Sequence, residues 1–359
     1  MATMRNPINQ NTSIDLLPVI EKLVPAYGLI ADSGLFREIN NKTNFAMYEI
    51  MEDENVKMTK LTSRTERDAV KVGRGKSKHV TVAGETIKIV GGVHVEDLQN
   101  RLNTFNIEQD ETLQQAIADE TAAMYNSWAQ SYEYMLVTAS QGIMRDPLDG
   151  SAKINMFTNT GTTQSTATID VRSSSTTLIS DINALRNQIN YLNNGQGSVT
   201  AIDVWVAEDV FNAIVGHPEF AAIYQLALQG RGQEALANRI LNGTANVPTY
   251  TQYGWSNSFV WQNITFRTYP QTFTRMDGSV AAAVANGKGW TVARGVTNAY
   301  EVLFGPAPYF SQLNGLGQKL YARSTGIIDD THLDMTIESH LTPILKRPEL
   351  CIDVTFTLT

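Results

Sequence analysis

The sequence predicts a mixed α+β chain organised around one long helix, and three stretches carry that expectation. Residues 111–141 repeat apolar side chains at helical spacing, residues 178–215 read helix, strand, helix, and the segment 305–359 contains two runs that alternate at period two. With 359 residues, 42% of them hydrophobic and 18% charged, the chain has material for a sizeable core shared among subdomains and too little charge for disorder.

Residues 1–12 are rich in Asn and Thr without hydrophobic periodicity and read as an arm that a neighbour holds. Ser13 is placed to cap a short helix carrying Leu16, Leu17, Ile20, Leu23 and Val24. Phe45, Met47, Tyr48 and Ile50 then open an extended region. Within it Lys57, Lys60, Arg64, Arg67, Lys71, Arg74, Lys76 and Lys78 are opposed only by Glu66 and Asp68. Val80, Val82, Ile87 and Ile89 alternate with polar residues, and glycines supply bends, so 56–95 reads as a long basic hairpin. A two-stranded ribbon is marginal alone in water, and its missing surface is expected on another subunit.

In the helix, Leu113, Ile117, Thr121, Met124, Trp128, Tyr132 and Met135 share one face, with Glu111, Asp119, Glu120 and Glu133 assigned mostly to the rest. Its length of roughly 45 Å exceeds the radius of gyration of about 21 Å expected for a globule of this size, as a spine would. Asp146 to Gly150 reads as a turn, and a Thr- and Ser-rich stretch of strands and loops follows to residue 177. Leu178, Ile182, Leu185, Ile189 and Leu192 form the next helix, Ala201 to Val206 a buried strand, and Glu208 to Val215 another helix. Leu333, Met335, Ile337 and Leu341 alternate with polar residues, as do Leu350, Ile352, Val354, Phe356 and Leu358. The last strand needs an earlier partner, which makes 178–304 an insertion into a domain begun around the spine.

No catalytic constellation is legible along the chain. Arg74-Gly75-Lys76-Ser77 has Val70 where a phosphate loop needs glycine, and strand-like residues follow it. Gly254-Trp255-Ser256-Asn257-Ser258 lacks the closing glycine of a nucleophile elbow. Asp329, Asp330, His332 and Asp334 could ligate a metal, but strand alternation reads better as a wet face. Trp205, Trp255, Trp261 and Trp290 read as core and not as a ligand platform. The single cysteine, Cys351, cannot form an internal disulfide, and the five histidines show no paired spacing. The expectation is therefore no enzyme, no cofactor and no metal. A formal charge of -8 argues against a general nucleic-acid binder. No segment reaches the length of a membrane span, and no secretory signal core opens the chain, so use in cytoplasm is expected.

The order of elements resembles the lambda-type coat protein (major capsid protein E) family of tailed bacteriophages. Residues that carry the resemblance are Ser33-Gly34-Leu35-Phe36, Thr43, Tyr48-Glu49-Ile50, Gly73-Arg74-Gly75, Val95 to Asn100, Phe304-Gly305-Pro306-Ala307 and Lys346 to Leu350. It implies the Hong Kong 97-like fold, with an arm (1–45), an extended loop (46–95), a peripheral domain (96–177 and 305–359) and an axial domain (178–304). It also implies an icosahedral virion head built from pentamers and hexamers in host cytoplasm, enclosing packaged double-stranded DNA without sequence-specific contacts and without a membrane. Separate scaffolding, cement and portal proteins are expected partners. On this reading Arg64, Arg67, Arg74, Lys76 and Lys78 meet Glu111, Asp119 or Glu120 of a neighbour. An encapsulin-like cellular compartment and a small-molecule enzyme are the alternatives.

Overall fold

The computed structural model describes residues 16, 20, 21, 23–51, 77–96, 113–193, 197–220, 249–251, 254–328 and 331–358. In chain order its helices are α1 (Leu29–Asp32), α2 (Leu113–Ser140), α3 (Met156–Thr160), α4 (Leu178–Asn193) and α5 (Glu208–Val215). The strands begin with β1 (Arg37–Asn40), β2 (Phe45–Met51), β3 (Ser77–Ala83), β4 (Glu85–His94), β5 (Ile143–Arg145), β6 (Ala152–Asn155), β7 (Ser165–Asp170) and β8 (Ala201–Val206). They continue with β9 (Thr249–Thr251), β10 (Gly254–Ser256), β11 (Ser258–Trp261), β12 (Ile264–Thr268), β13 (Thr272–Thr274) and β14 (Val280–Ala282). The last are β15 (Lys288–Arg294), β16 (Tyr300–Phe304), β17 (Tyr321–Ile328), β18 (His332–Leu345) and β19 (Ile352–Thr357). The chain divides into two compact units, the first made of Met1–Ala46, Ala83–Tyr134 and Val302–Pro343, the second of Met47–Val82, Met135–Glu301 and Ile344–Thr359.

The first unit is organised by β18, whose 14 residues give it room for three partners, β16, β17 and β4. With β4 it pairs antiparallel from His332↔His94 to Leu341↔Glu85. The hairpin expected over 56–95, with its missing surface on another subunit, is divided here: residues 85–94 belong to a five-stranded sheet of the chain itself, while β3 pairs with β2 in a separate two-stranded ribbon. The reason is geometric. Gly91 lies where an added Cβ would come within 2.5 Å of Glu120 Oε1 and 2.7 Å of Met124 Sδ, so bare backbone lets β4 lie close against α2.

Helix α2 buries Ile117, Thr121, Met124, Trp128, Tyr132 and Met135, the stripe expected from the spacing. Tyr125, Trp128 and Tyr132 stack along it, with centroids 5.5 and 5.1 Å apart. Beyond Tyr132 the amphipathic reading fails, because all of 132–140 is buried. Glu133 is fully buried, against its expected place among the exposed acids. Its carboxylate accepts from the Ile30 N–H at 2.5 Å and the Ala31 N–H at 3.1 Å, two first-turn amides of α1 that have no partner within that helix. The short helix expected from Ser13 to Val24 lies largely outside the described residues; Leu16 and Ile20 are buried, and Val24 is exposed.

The second unit holds a six-stranded sheet in the order β11-β12-β8-β15-β19-β7. One face packs Ile202, Val204, Val206, Ile352, Val354 and Phe356 against α4 and α5, where Leu178, Ile182, Leu185, Ile189, Val210, Phe211 and Ile214 form the matching stripes. Glycine is required at 289, where a Cβ would meet the Trp205 carbonyl oxygen of the adjacent strand at 2.6 Å. The opposite face carries Trp205 and Trp290, stacked at 6.3 Å. Both are buried, as their strand setting predicts. Strand β19 pairs parallel with β7 and antiparallel with β15, so the two closing runs do not share one sheet. The run in β19 alternates as expected, but β18 is buried on both faces from Met335 to Leu345, Thr336, Glu338 and His340 included, and alternation in any case does not name a strand's neighbour.

Candidate assembly surfaces

Several residues that carry the family resemblance have structural work within their own unit. Ser33 Oγ donates to the Ile30 carbonyl at 2.7 Å and Gly34 turns with φ 65°, bringing Phe36 into the core. Phe304 is fully buried, and Gly305 is hemmed in by Asn44 while its N–H donates to the His340 carbonyl at 2.8 Å. In the second unit Lys346 pairs with the buried Glu301 at 2.6 Å. Arg347 donates to Glu349 at 2.7 Å and to Asn193 Oδ1 at 3.0 Å. Pro348 starts a 3-10 turn, and Thr291 Oγ1 beside it donates to the Leu350 carbonyl and accepts from the Ile352 N–H. These contacts lock the segment between β18 and β19.

The expected intersubunit residues are placed as follows. Arg64, Arg67, Arg74, Lys76 and Glu111 lie outside the described residues, and Lys78 is the second residue of β3. Asp119 is exposed on α2. Glu120 is only half-exposed, with its Oε1 close over Gly91.

Other features were not foreseen. On β2, Phe45 and Met47 are 59% and 70% exposed, whereas the alternate residues Ala46 and Tyr48 are buried. In the first unit Phe310, Leu313 and Leu316 project into solvent. Polar groups are concentrated inside as well. Asp203 is buried, with Arg294 bonded to it and the Arg267 guanidinium 3.4 Å away. On β18, Glu338 and His340 are both buried, Nε2 to Oε1 at 3.8 Å, and His340 Nδ1 meets Thr86 Oγ1 at 2.8 Å. Burial holds the His340 imidazole below its ordinary pKa, opposed by the Glu338 carboxylate. The Tyr309 phenol is pushed up, first by burial and then by its hydrogen bond to Glu338. His94 and His332, 238 positions apart in sequence, stack at 5.5 Å across the β4–β18 pair. Among the described residues no three His, Cys, Asp or Glu side chains gather as a metal site. Ser256, from the near-elbow sequence, is buried and donates to the Thr268 carbonyl at 2.9 Å. No described helix is long and apolar enough to cross a membrane.

The described residues thus include a helix of 28 residues, and a ribbon with Phe45 and Met47 exposed beside Glu49, His79 and Thr81. The fold is that of Hong Kong 97-like capsid proteins. The chain aligns over 96% of its length with the whole of a putative capsid protein of a prophage of E. coli CFT073, at a TM-score of 0.57 and 12% identity. The chain belongs to the phage major capsid protein E family, whose model matches residues 12–356, and it is thus a structural protein of the phage virion. It is 20% identical over 355 residues to the major capsid protein of Salmonella phage Felix O1 (isolate Felix O1-VT1), covering 95% of each chain. A cyanophage A-1(L) capsid structure is also similar, at a TM-score of 0.48 and 12% identity, with 93% of each chain covered.

Proposed function

We propose that the chain joins copies of itself as pentamers and hexamers of a closed icosahedral shell, assembled in host cytoplasm and filled with double-stranded DNA. It acts through contacts and not through catalysis. The arm (1–45) and the extended loop (46–95) reach neighbours, 96–177 with 305–359 serves as the peripheral domain, and 178–304 surrounds the axes. The observation that carries this reading is the outward face of the β2–β3 ribbon, where Phe45 and Met47 stand in water on either side of the buried Ala46. Exposed apolar side chains on a ribbon need a surface that the isolated subunit does not supply.

Arg64, Arg67, Arg74, Lys76 and Lys78 would approach acids of an adjacent subunit, with exposed Asp119 better placed than half-buried Glu120. Each exposed pair is worth only about 0–1 kcal/mol, so the loop acts through several pairs together with apolar contact. Closed symmetry sums such weak contacts without making any one of them tight. The net charge of -8 suits a container for DNA, since a basic lining would bind phosphates. Scaffolding, cement and portal functions belong to separate proteins. The test is the double substitution Arg74→Glu/Lys76→Glu: shell yield by negative-stain microscopy should fall severalfold while the subunit keeps its circular dichroism. Undiminished shells would refute the contact, and particles filled with protein instead of nucleic acid would favour a cellular compartment.

A further inference from the structure

We propose that the loop 306–317 of the first unit is a contact surface for a second copy of this chain, made by Phe310, Leu313 and Leu316. The proposal rests on the shell-forming reading and adds a surface to it. Phe310 is fully exposed, Leu313 75% exposed and Leu316 54% exposed. Single exposed leucines are ordinary, but three large apolar side chains within seven residues are a patch.

The loop is held in one shape before any partner arrives. The Gln312 N–H donates to the Tyr309 carbonyl at 2.9 Å, closing the 3-10 turn Phe310–Gln312. The Gly315 N–H donates to the Gln312 carbonyl at 2.9 Å, and Asn314 holds φ at 63°. At the far end the Gly317 N–H donates to the Asn41 carbonyl at 2.7 Å. Gly317 sits so close to the Phe304 carbonyl that no side chain fits there. The Arg323 guanidinium covers the Tyr309 ring at 4.2 Å. A surface fixed in this way loses little conformational entropy on binding.

Charge identifies the occupant. From Val302 to Gln318 there is no Asp, Glu, Lys, Arg or His, in a chain whose net charge is -8. Two copies repel overall, so they approach most easily through an uncharged segment. A cationic partner recruited by the chain's negative field would gain nothing at this segment. Three such side chains supply a few hundred Å², well short of the roughly 1,200 Å² of a stable pair. The loop therefore acts as one contact among several in a lattice and does not hold an isolated dimer.

Cys351 is buried, so Leu313→Cys in the full chain introduces the only accessible thiol among the described residues. It should react with a maleimide in dissociated subunits and at least about tenfold more slowly in shells assembled from this chain alone. The double substitution Phe310→Ser/Leu313→Ser should raise the protein concentration needed for shells about tenfold, a change of 1.4 kcal/mol, with circular dichroism unchanged. Equal labelling in shells and subunits, or an unchanged assembly threshold, would overturn the proposal, leaving the loop to another protein or to solvent. If Leu313→Cys does not assemble, Leu316→Cys gives the same comparison. Shells that form with the loop open refute this inference alone; a wild-type chain that forms no shells, either alone or with a separate scaffolding protein, refutes the reading beneath it as well.

Discussion

Replacing Glu133 tests whether a buried acid, and not packing alone, ties α1 to α2. Its two oxygens accept from the Ile30 and Ala31 amides, the first buried and the second partly so. Glu133→Ala leaves both donors without this acceptor, at roughly 1–3 kcal/mol each. Removing the carboxylate also removes its own desolvation cost, and a net loss of about 3 kcal/mol is expected. Glu133→Gln keeps one acceptor oxygen and loses the charge assistance, for about 1.5 kcal/mol. Urea unfolding of dissociated subunits reads both values, and hydrogen exchange reads the amides at 30 and 31 directly. A loss below about 1 kcal/mol for Glu133→Ala, with those amides still protected, would refute the argument.

Two further outcomes follow from titratable groups. Cys351 is fully buried and its thiol is pushed up to about 12 by burial, then by Asp353, so native subunits should resist iodoacetamide at pH 8 and react only on unfolding. Rapid modification of native protein would show that this part of the second unit opens readily. His340 has its pKa lowered by burial, against the raising effect of Glu338 and with a smaller lowering from Lys88. Thr86 and the Tyr321 ring complete its surroundings. The unfolded chain thus takes up the proton first, and this histidine's contribution is intact above the ordinary imidazole value of 6.5 and lost as pH falls through the lower folded value. Subunit stability measured from pH 7.5 to 5 should fall less steeply in His340→Gln than in wild type; equal slopes would contradict this.

Local elements were readable because their signals are local. The stripe from Ile117 to Met135, the helix from Leu178 and the strand Ala201–Val206 announce themselves through spacing alone. Partners at long range were not readable. Glu133 looked like another acid on a wet face because its acceptor role depends on residues 30 and 31, about a hundred positions away. Strand β4 reads in sequence as half of a hairpin awaiting another subunit, because its register with β18 joins residues 238 to 256 positions apart. The histidine stack was hidden for the same reason. Phe310, Leu313 and Leu316 carried no signal of exposure, since apolar residues beside glycine and proline read equally well as buried turns. What a sequence with no charge from Val302 to Gln318 could have offered was a hint that this loop avoids repulsion.

The position of β19 has a consequence for biosynthesis. It lies between β15 and β7, which meet only through it, and the first unit likewise waits for residues up to Pro343. A nascent chain on the ribosome therefore completes the first unit only once Pro343 has emerged, and the second only once residues 352–357 have. A chain halted before residue 352 has the strand order of this sheet broken between β15 and β7.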